Sequence, residues 1–522
     1  MTGPDRAHLR IAELLASLSL GIDLGFGQPM EHVLRQTLIA TRLAERLGLS
    51  EEERVAVYYT GLLINVGCHS DAHEQAKWFG DDIALKATKY EYEFRSARGA
   101  LATLQMLGSG RPPLARFRLI LDFARSGHRE VDGMITRHAA MARQLAEDLE
   151  LPAAAAVALA GAYEQWDGRG WPGELRGEQV PLAARIAQLA EFVEVANRVA
   201  GSGEATALAA RRSGAQFDPE VAAAFCVGAG EILAGLGEVD AWEAVLACEP
   251  AFADVVSGER FDAALGAVAN FIDLKSPYTL GHSAALSQLT AAAATGIGMD
   301  TGEVRQVRRA ALLGGFGRLG ISNSIWDKPG PLGAGERERV RLQPYLTERM
   351  VGRSEALAPF AAVAVGMRER LDGSGYPRGL RGAAIPAAAR LLGAADAYQA
   401  MREPRPHREA LPPERAAAEL RREVKASRLD ADAVEAVLGA AGHRASRRAP
   451  GPAGLTRREV DVLLLLARGF TNKQIAQRLV ISPKTAGNHV EHIYAKIGVS
   501  NRVAAGLFAV GHGLLPEAGP PA

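Results

Sequence analysis

Residues 371–396 read LDGSGYPRGLRGAAIPAAARLLGAAD, and residues 166–191 read WDGRGWPGELRGEQVPLAARIAQLAE. Both run Asp-Gly-x-Gly-aromatic-Pro, then Leu-Arg-Gly, then Pro and Arg at fixed offsets. A frame of that length does not recur by chance, so the chain contains an internal duplication. The Gly-x-Gly-aromatic-Pro segment predicts a tight loop, and the Ala-rich stretch after each Pro-x-x-Ala predicts a helix.

The frame extends towards the N terminus. His32 lies 32 residues before Ile64 in YYTGLLINVG, and His282 lies 32 before Gly314 in RAALLGGFG. His138 precedes Ala162 by 24, and Gln343 precedes Met367 by 24. Copy one carries an extra segment between these blocks, from Cys68 to Gly110. The expected organisation is one helical bundle over 20–200 and a second over 255–440, with an Ala/Gly-rich helical connector over 201–254. A flexible linker, 441–454, leads to the C-terminal stretch.

That stretch, Leu455 to Leu515, announces short helices by their start signals. Thr456 with Glu459 and Thr471 with Gln474 have capping-box spacing, and Ser482-Pro483 sets a capping hydroxyl before a first-turn proline. Gly469 and Gly498 mark stops. On the third helix Ala486, Val490, Ile493 and Ile497 share one face. Lys484, Thr485, Asn488, His492 and Lys496 face the other way, with His489 on the flank. Such a row of donors and cations suits base edges and phosphates, and a helix-turn-helix would also present Thr471 and Lys473 to DNA. A solvated helix face is the plainer account; two preceding capped helices favour DNA.

Charge follows the same division. The net charge is zero, but residues 452–515 carry +5 and Arg444, Arg447 and Arg448 add three more positive charges, leaving the long N-terminal part acidic. Positive charge thus gathers where phosphate contacts are needed. No apolar run is long enough to span a membrane, and Cys68, Cys226 and Cys248 have no paired spacing. A soluble cytoplasmic protein of all-α class is expected, without disulfides.

The C-terminal stretch resembles the LuxR-type helix-turn-helix. The resemblance rests on Leu455-Thr456-Arg457-Arg458-Glu459, on Gly469-Phe470-Thr471-Asn472-Lys473-Gln474-Ile475-Ala476, and on Ser482-Pro483-Lys484-Thr485 leading to His489. Tyr494-Ala495-Lys496-Ile497-Gly498-Val499 with Asn501-Arg502 completes it. It implies a transcriptional regulator that binds double-stranded DNA as a homodimer, pairing through the fourth helix at about Arg502 to Gly511, with RNA polymerase as a further partner. Ala486-Gly487 departs from the bulkier, often basic pair of that family, so base preference does not carry over.

Copy two resembles the HD-GYP domain, a helical metal-dependent phosphodiesterase fold that hydrolyses cyclic di-GMP. The segments are Ser276 to Ser283, Ile325 to Gly330, Asp372 to Pro377, Ala395 to Tyr398 and Arg405 to Arg408. The resemblance implies a His/Asp cluster holding two or more cations that activate water. Residue by residue, His282 and Asp396 remain. The central His-Asp pair falls on Gly314-Gly315, the following Lys on Arg318, the next His on Gln343, and the paired His on Met367-Arg368. In copy one the same positions are Ile64-Asn65, Ala162-Tyr163 and Glu191, with His32 and His138 kept.

This pattern gives the expectation of a retained fold and a lost reaction: no enzyme, no cofactor, no metal centre. The alternative is a metal-dependent cyclic-di-GMP phosphodiesterase with a DNA-binding output domain. The resemblance places Lys328, Arg368, Tyr376, Arg390, His282 and Asp396 at a former phosphate site, where they either grip a small anionic nucleotide or persist as turn chemistry. Cys68, His69 and His73 form a weaker metal candidate, with a capped polar helix start as the favoured reading. Nothing adjacent in sequence argues for a depressed Cys68 pKa.

Overall fold

The computed structural model describes residues 8–90, 97–109, 111–250, 254–443 and 452–515. Among them the regular structure is helical, apart from one antiparallel two-residue pair in which Leu9 faces Val256 and Arg10 faces Val255. Residues 444–451 of the expected linker lie outside the described residues.

The duplication is visible as a repeated order of elements. Copy one runs through helices Ile11–Gly25, His32–Arg46 and Glu51–Leu63, a 3-10 turn Val66–His69, and helices His128–Asp148, Ala153–Ala160 and Leu182–Ala200. Copy two follows with Gly258–Asp273, His282–Gly296, Thr301–Leu313, the 3-10 turn Phe316–Gly320, Gln343–Val351, Ala358–Gly366 and Ala387–Arg402. One of the two paired strands, Leu9–Arg10 and Val255–Val256, precedes the first helix of each copy.

Two close approaches explain the glycines that both copies keep. A Cβ on Gly67 would stand 2.1 Å from the His138 carbonyl oxygen, and one on Gly317 would stand 2.0 Å from that of Gln343. The helix bearing each former metal-ligand position therefore crosses the 3-10 turn where only a hydrogen fits. Gly170 and Gly375 repeat the pattern in the loops, where a Cβ would stand 2.4 Å from Glu164 Cα and 2.4 Å from Glu369 Cα.

The chain divides into two compact units that cut across the repeats. One is 1–284 with 312–361 and 403–409; the other is 285–311 with 362–402 and 410–522. The first unit takes in part of copy two because helix Ile11–Gly25 is buried almost all round, as an apolar helix of a core must be. A Cβ on its Gly21 would meet Met350 Cε at 2.3 Å and Leu319 Cδ1 at 2.8 Å. The connector joins the same unit through helices Ser202–Arg212, Pro219–Ile232 and Ala241–Ala247. Arg42 Nη1 donates to the carbonyls of Ile232 (2.7 Å) and Ala234 (2.8 Å), and Tyr58 Oη to that of Val245 (3.1 Å).

The C-terminal module packs helices Arg457–Ala467, Asn472–Leu479, Pro483–Ile497 and Arg502–Gly511 around Leu463, Ile475, Ala486 and Ile493. Both capping boxes form: Thr456 accepts from Glu459 N and Thr471 from Gln474 N, with each acidic or amide side chain bonding back. Ser482 accepts from Thr485 N at 3.0 Å, and Gly498 closes the third helix at φ +68°. The second helix ends without glycine, at Val480 with φ +54°, a left-handed conformation rarely held by a β-branched residue. No described helix is long and apolar enough to cross a membrane.

Candidate functional site

The residues expected to face DNA separate into exposed and engaged groups. Lys473, Lys484, Asn488 and His492 are exposed. Lys496 Nζ donates to Glu459 Oε2 at 2.7 Å, and Thr471 Oγ1 and Thr485 Oγ1 take part in the helix caps. His489 is half-buried, and burial, aided by Arg458, lowers its pKa. Ala486 is fully buried in the module's core, so Gly487 is the member of that unusual pair left at the surface of the helix.

In the second copy, basic heads named from the sequence are bonded to carboxylates. Arg368 Nη1 donates to Asp396 Oδ2 at 2.6 Å, and Arg390 pairs with Asp430, which caps helix Ala431–Ala440. Lys328 Nζ donates to both oxygens of Glu336 at 2.8 and 2.7 Å. His282 Nδ1 lies 2.9 Å from Glu403 Oε2, and Gln343 donates to the Gly314 carbonyl. Tyr376 is tied by its backbone, its N–H donating to the Arg368 carbonyl at 3.2 Å. Lys328, Arg368 and Arg390, for which an anion grip and turn chemistry were the two readings, thus each hold an internal carboxylate partner.

Cys68, His69 and His73 point to three different places, which corrects their grouping as a metal candidate. His69 belongs to the 3-10 turn and His73 to helix Ala72–Phe79, so they do not share one helical face. His69 Nδ1 lies 2.7 Å from the Val66 carbonyl and Nε2 lies 2.8 Å from that of Phe271, and burial pushes its pKa down to about 4. His73 Nδ1 lies 2.8 Å from Asp327 Oδ2. Asp71 makes no side-chain cap; it lies 2.8 Å from His138 Nε2 instead.

Cys68 is 2.9 Å from Tyr163 Oη. Burial opposes its ionisation, yet His138, Lys89 and Tyr163 outweigh burial and bring the thiol below its ordinary pKa. Those neighbours are distant in sequence, which is why the local reading saw none of them.

Two residues that sequence reasoning missed organise the repeated loops. Glu164 is buried and accepts backbone N–H bonds from Gly173 (3.1 Å), Glu174 (2.8 Å) and Leu175 (3.2 Å). Glu369, its counterpart, accepts from Arg378 and Leu380, each at 2.8 Å. The available signal was a Glu two residues before each frame. Glu369→Ala removes the acceptor for two amides and is expected to destabilise its unit by about 2–3 kcal/mol, read from the urea midpoint.

The HD-GYP resemblance implies a metal centre built from a His/Asp cluster. Glycines at 314 and 315 offer no side-chain donor atoms, and the Arg368 guanidinium lies on Asp396. Among the described residues no three His, Cys, Asp or Glu side chains gather as a metal site would require. These residues do not fit a two-metal centre.

Comparison with known proteins settles the family. Residues 124–221 and 266–433 match the HD domain family, and residues 453–509 match the luxR family of bacterial regulatory proteins. The 3'3'-cGAMP-specific phosphodiesterase 3 of Vibrio cholerae is 31% identical over 412 residues, covering 78% of this chain and 90% of that protein. A cyclic di-GMP phosphodiesterase response regulator of Xanthomonas campestris is 32% identical over 154 residues, 29% of this chain and 41% of that protein. A crystal structure of a cyclic GMP-AMP-specific phosphodiesterase of V. cholerae superposes with a TM-score of 0.57 at 26% identity, over 83% of this chain and 98% of that one.

The expectation that the chain is no enzyme is corrected by these findings, which point to an HD phosphodiesterase. The chain belongs to the HD domain family and carries a luxR-family DNA-binding module at its C terminus.

Proposed function

We propose that the chain is a sequence-specific transcription regulator whose HD module recognises a cyclic dinucleotide, and that it works as a homodimer presenting two recognition helices to one DNA site. One observation carries this reading: a capped helix-turn-helix with Lys484 and Asn488 exposed lies in the same chain as a module 31% identical to a 3'3'-cGAMP-specific phosphodiesterase. Exposed cations at Lys473 and Lys484 suit phosphates, while an amide such as Asn488 suits the paired donor and acceptor of adenine in the major groove. RNA polymerase is the partner that a regulator of this kind would address.

Lys484→Ala is expected to weaken binding to every duplex about equally and to flatten the plot of log K against log salt by about one unit. Asn488→Ala should instead reduce discrimination between duplexes. Fluorescence anisotropy on a duplex panel at several salt concentrations reads both. Binding unchanged in both variants would sink the assignment of this face.

The V. cholerae relative favours a second reading, a cyclic-dinucleotide phosphodiesterase with a DNA-binding output module. The full chain incubated with 3'3'-cGAMP or cyclic di-GMP separates the two by chromatography of linear product. Under the first reading one cyclic dinucleotide raises the melting temperature, at 100 times its Kd by about 2.7 kcal/mol of added stability. Absence of both product and thermal shift would exclude nucleotide recognition.

A further inference from the structure

Copy one contains a cation of its own at the positions where its fold family gathers metal ligands. Lys89 Nζ donates to Glu191 Oε1 at 2.6 Å and to Asn65 Oδ1 at 3.0 Å. Asn65 Nδ2 donates to the same Glu191 oxygen at 2.8 Å, as does Tyr90 Oη, also at 2.8 Å. Tyr90 Oη is in turn 3.3 Å from His32 Nε2, and His32 Nδ1 is bonded to Glu194. Glu191 is 1% exposed. Around the ammonium stand four aromatic rings, with centroids at 5.6 Å (Phe26), 5.9 Å (Tyr90), 5.7 Å (Tyr163) and 5.8 Å (Phe192). Ring faces attract a desolvated cation, so the cage adds to the two polar acceptors.

We propose that copy one is a metal-free form of the fold whose resident cation is the Lys89 ammonium, supplied by the segment that copy one has and copy two lacks. Lys89 and Tyr90 occupy the short turn Thr88–Tyr90 within that segment, and both reach the carboxylate at the last family ligand position. A divalent ion on Glu191 would have to displace the ammonium from both acceptors and from the ring cage. Asn65 would offer that ion only a neutral amide, and His32 is already held between Glu194 and Tyr90. The insertion thereby acquires a role: it places Lys89 and Tyr90 on the carboxylate at the last family ligand position and neutralises it. This inference concerns copy one only and does not rest on DNA or nucleotide recognition.

Three full-length variants and a metal measurement test it. Lys89→Met leaves the buried Glu191 carboxylate unpaired and is expected to lower the melting temperature by roughly 5 °C or more. Glu191→Gln strands the ammonium and should do the same. The double variant Lys89→Met/Glu191→Gln removes both charges together and is expected to recover at least half of either single loss, the signature of a charge pair rather than of packing. Manganese, iron and zinc contents of wild type and Glu191→Gln should be equal, because any metal in the chain then lies away from Glu191. Metal present in wild type and lost in Glu191→Gln would overturn the proposal, as would Lys89→Met melting like wild type. If a single variant does not fold, the double variant takes its place in the metal comparison with the same two outcomes.

Discussion

Asp82→Asn is expected to cost about 3–5 kcal/mol, because it leaves two buried ammonium groups without their carboxylate. Asp82 is fully buried, opening helix Asp82–Ala87. Its Oδ2 accepts from Lys86 Nζ at 3.1 Å and from Lys275 Nζ at 3.4 Å, and its Oδ1 accepts from Ser322 Oγ and Asn323 N, both at 2.8 Å. The inserted segment of copy one is thus fastened to two loops of copy two by one carboxylate. Burial alone would raise the Asp82 pKa, but Lys275, Lys86 and the two Oδ1 donors reverse the shift and hold it below the ordinary carboxylate range.

The pH dependence follows from that sign. A depressed folded-state pKa means that the unfolded chain binds the proton first, so this stabilisation is complete above the unfolded value and is lost as pH falls through the folded one. In Asp82→Asn that acid limb disappears. Lys275, whose pKa burial already lowers, loses its main opposing charge in the variant. Its neutral form then favours the folded state, so the variant should regain stability as pH rises towards the alkaline range. Urea unfolding of both proteins at several pH values reads the two limbs. Equal midpoints at pH 7 would refute the structural role assigned to Asp82.

Gly317→Ala is the second large effect. Its Cβ would lie 2.0 Å from the Gln343 carbonyl oxygen and 2.8 Å from the Thr347 nitrogen, both backbone atoms that no rotamer change can move aside. The Gly317 N–H meanwhile donates to Thr347 Oγ1 at 2.9 Å, so retreat of the helix would also break a buried hydrogen bond. The cost should reach or exceed the upper end of the roughly 1–3 kcal/mol typical of overpacked cores. Gly67→Ala, which meets the His138 carbonyl in the same way, should match it. Gly335→Ala serves as the control, since nothing lies within 4 Å of a Cβ there. Melting of the three variants compares them directly, and a Gly317→Ala protein as stable as the control would refute the crossing.

The DNA module was the most legible part of the chain. Caps at Thr456, Thr471 and Ser482 depend on residues three positions away, and the buried face of the third helix depends on a fixed turn of 100°. Both are local rules, and each held in the structure. What local rules did not give was the engagement of that face. Lys496 is claimed by Glu459, 37 residues earlier, and Thr485 is taken up in the cap of its own helix.

The HD copies divided along the same line. Recurrence of the Asp-Gly-x-Gly-aromatic-Pro frame fixed the existence of two related helical units, since turn chemistry and apolar patterning repeat with the sequence. Their contents did not follow from it. Which carboxylates are neutralised, by Lys89 on Glu191 or by Arg368 on Asp396, depends on side chains brought together across 102 and 28 residues. The depressed thiol of Cys68 likewise depends on His138, which no neighbour in sequence announces.

By itself, then, the sequence determined an all-α chain with a repeated unit and a basic, capped reader at its end, because periodicity, capping and turn residues act within a few positions. Only the tertiary structure decided which glycines are obligatory, which charges are paired and what lies at the positions that the HD-GYP resemblance assigns to metal ligands. Those depend on helix crossings and on electrostatics in a dry interior, where the partner is selected by distance in space and not along the chain.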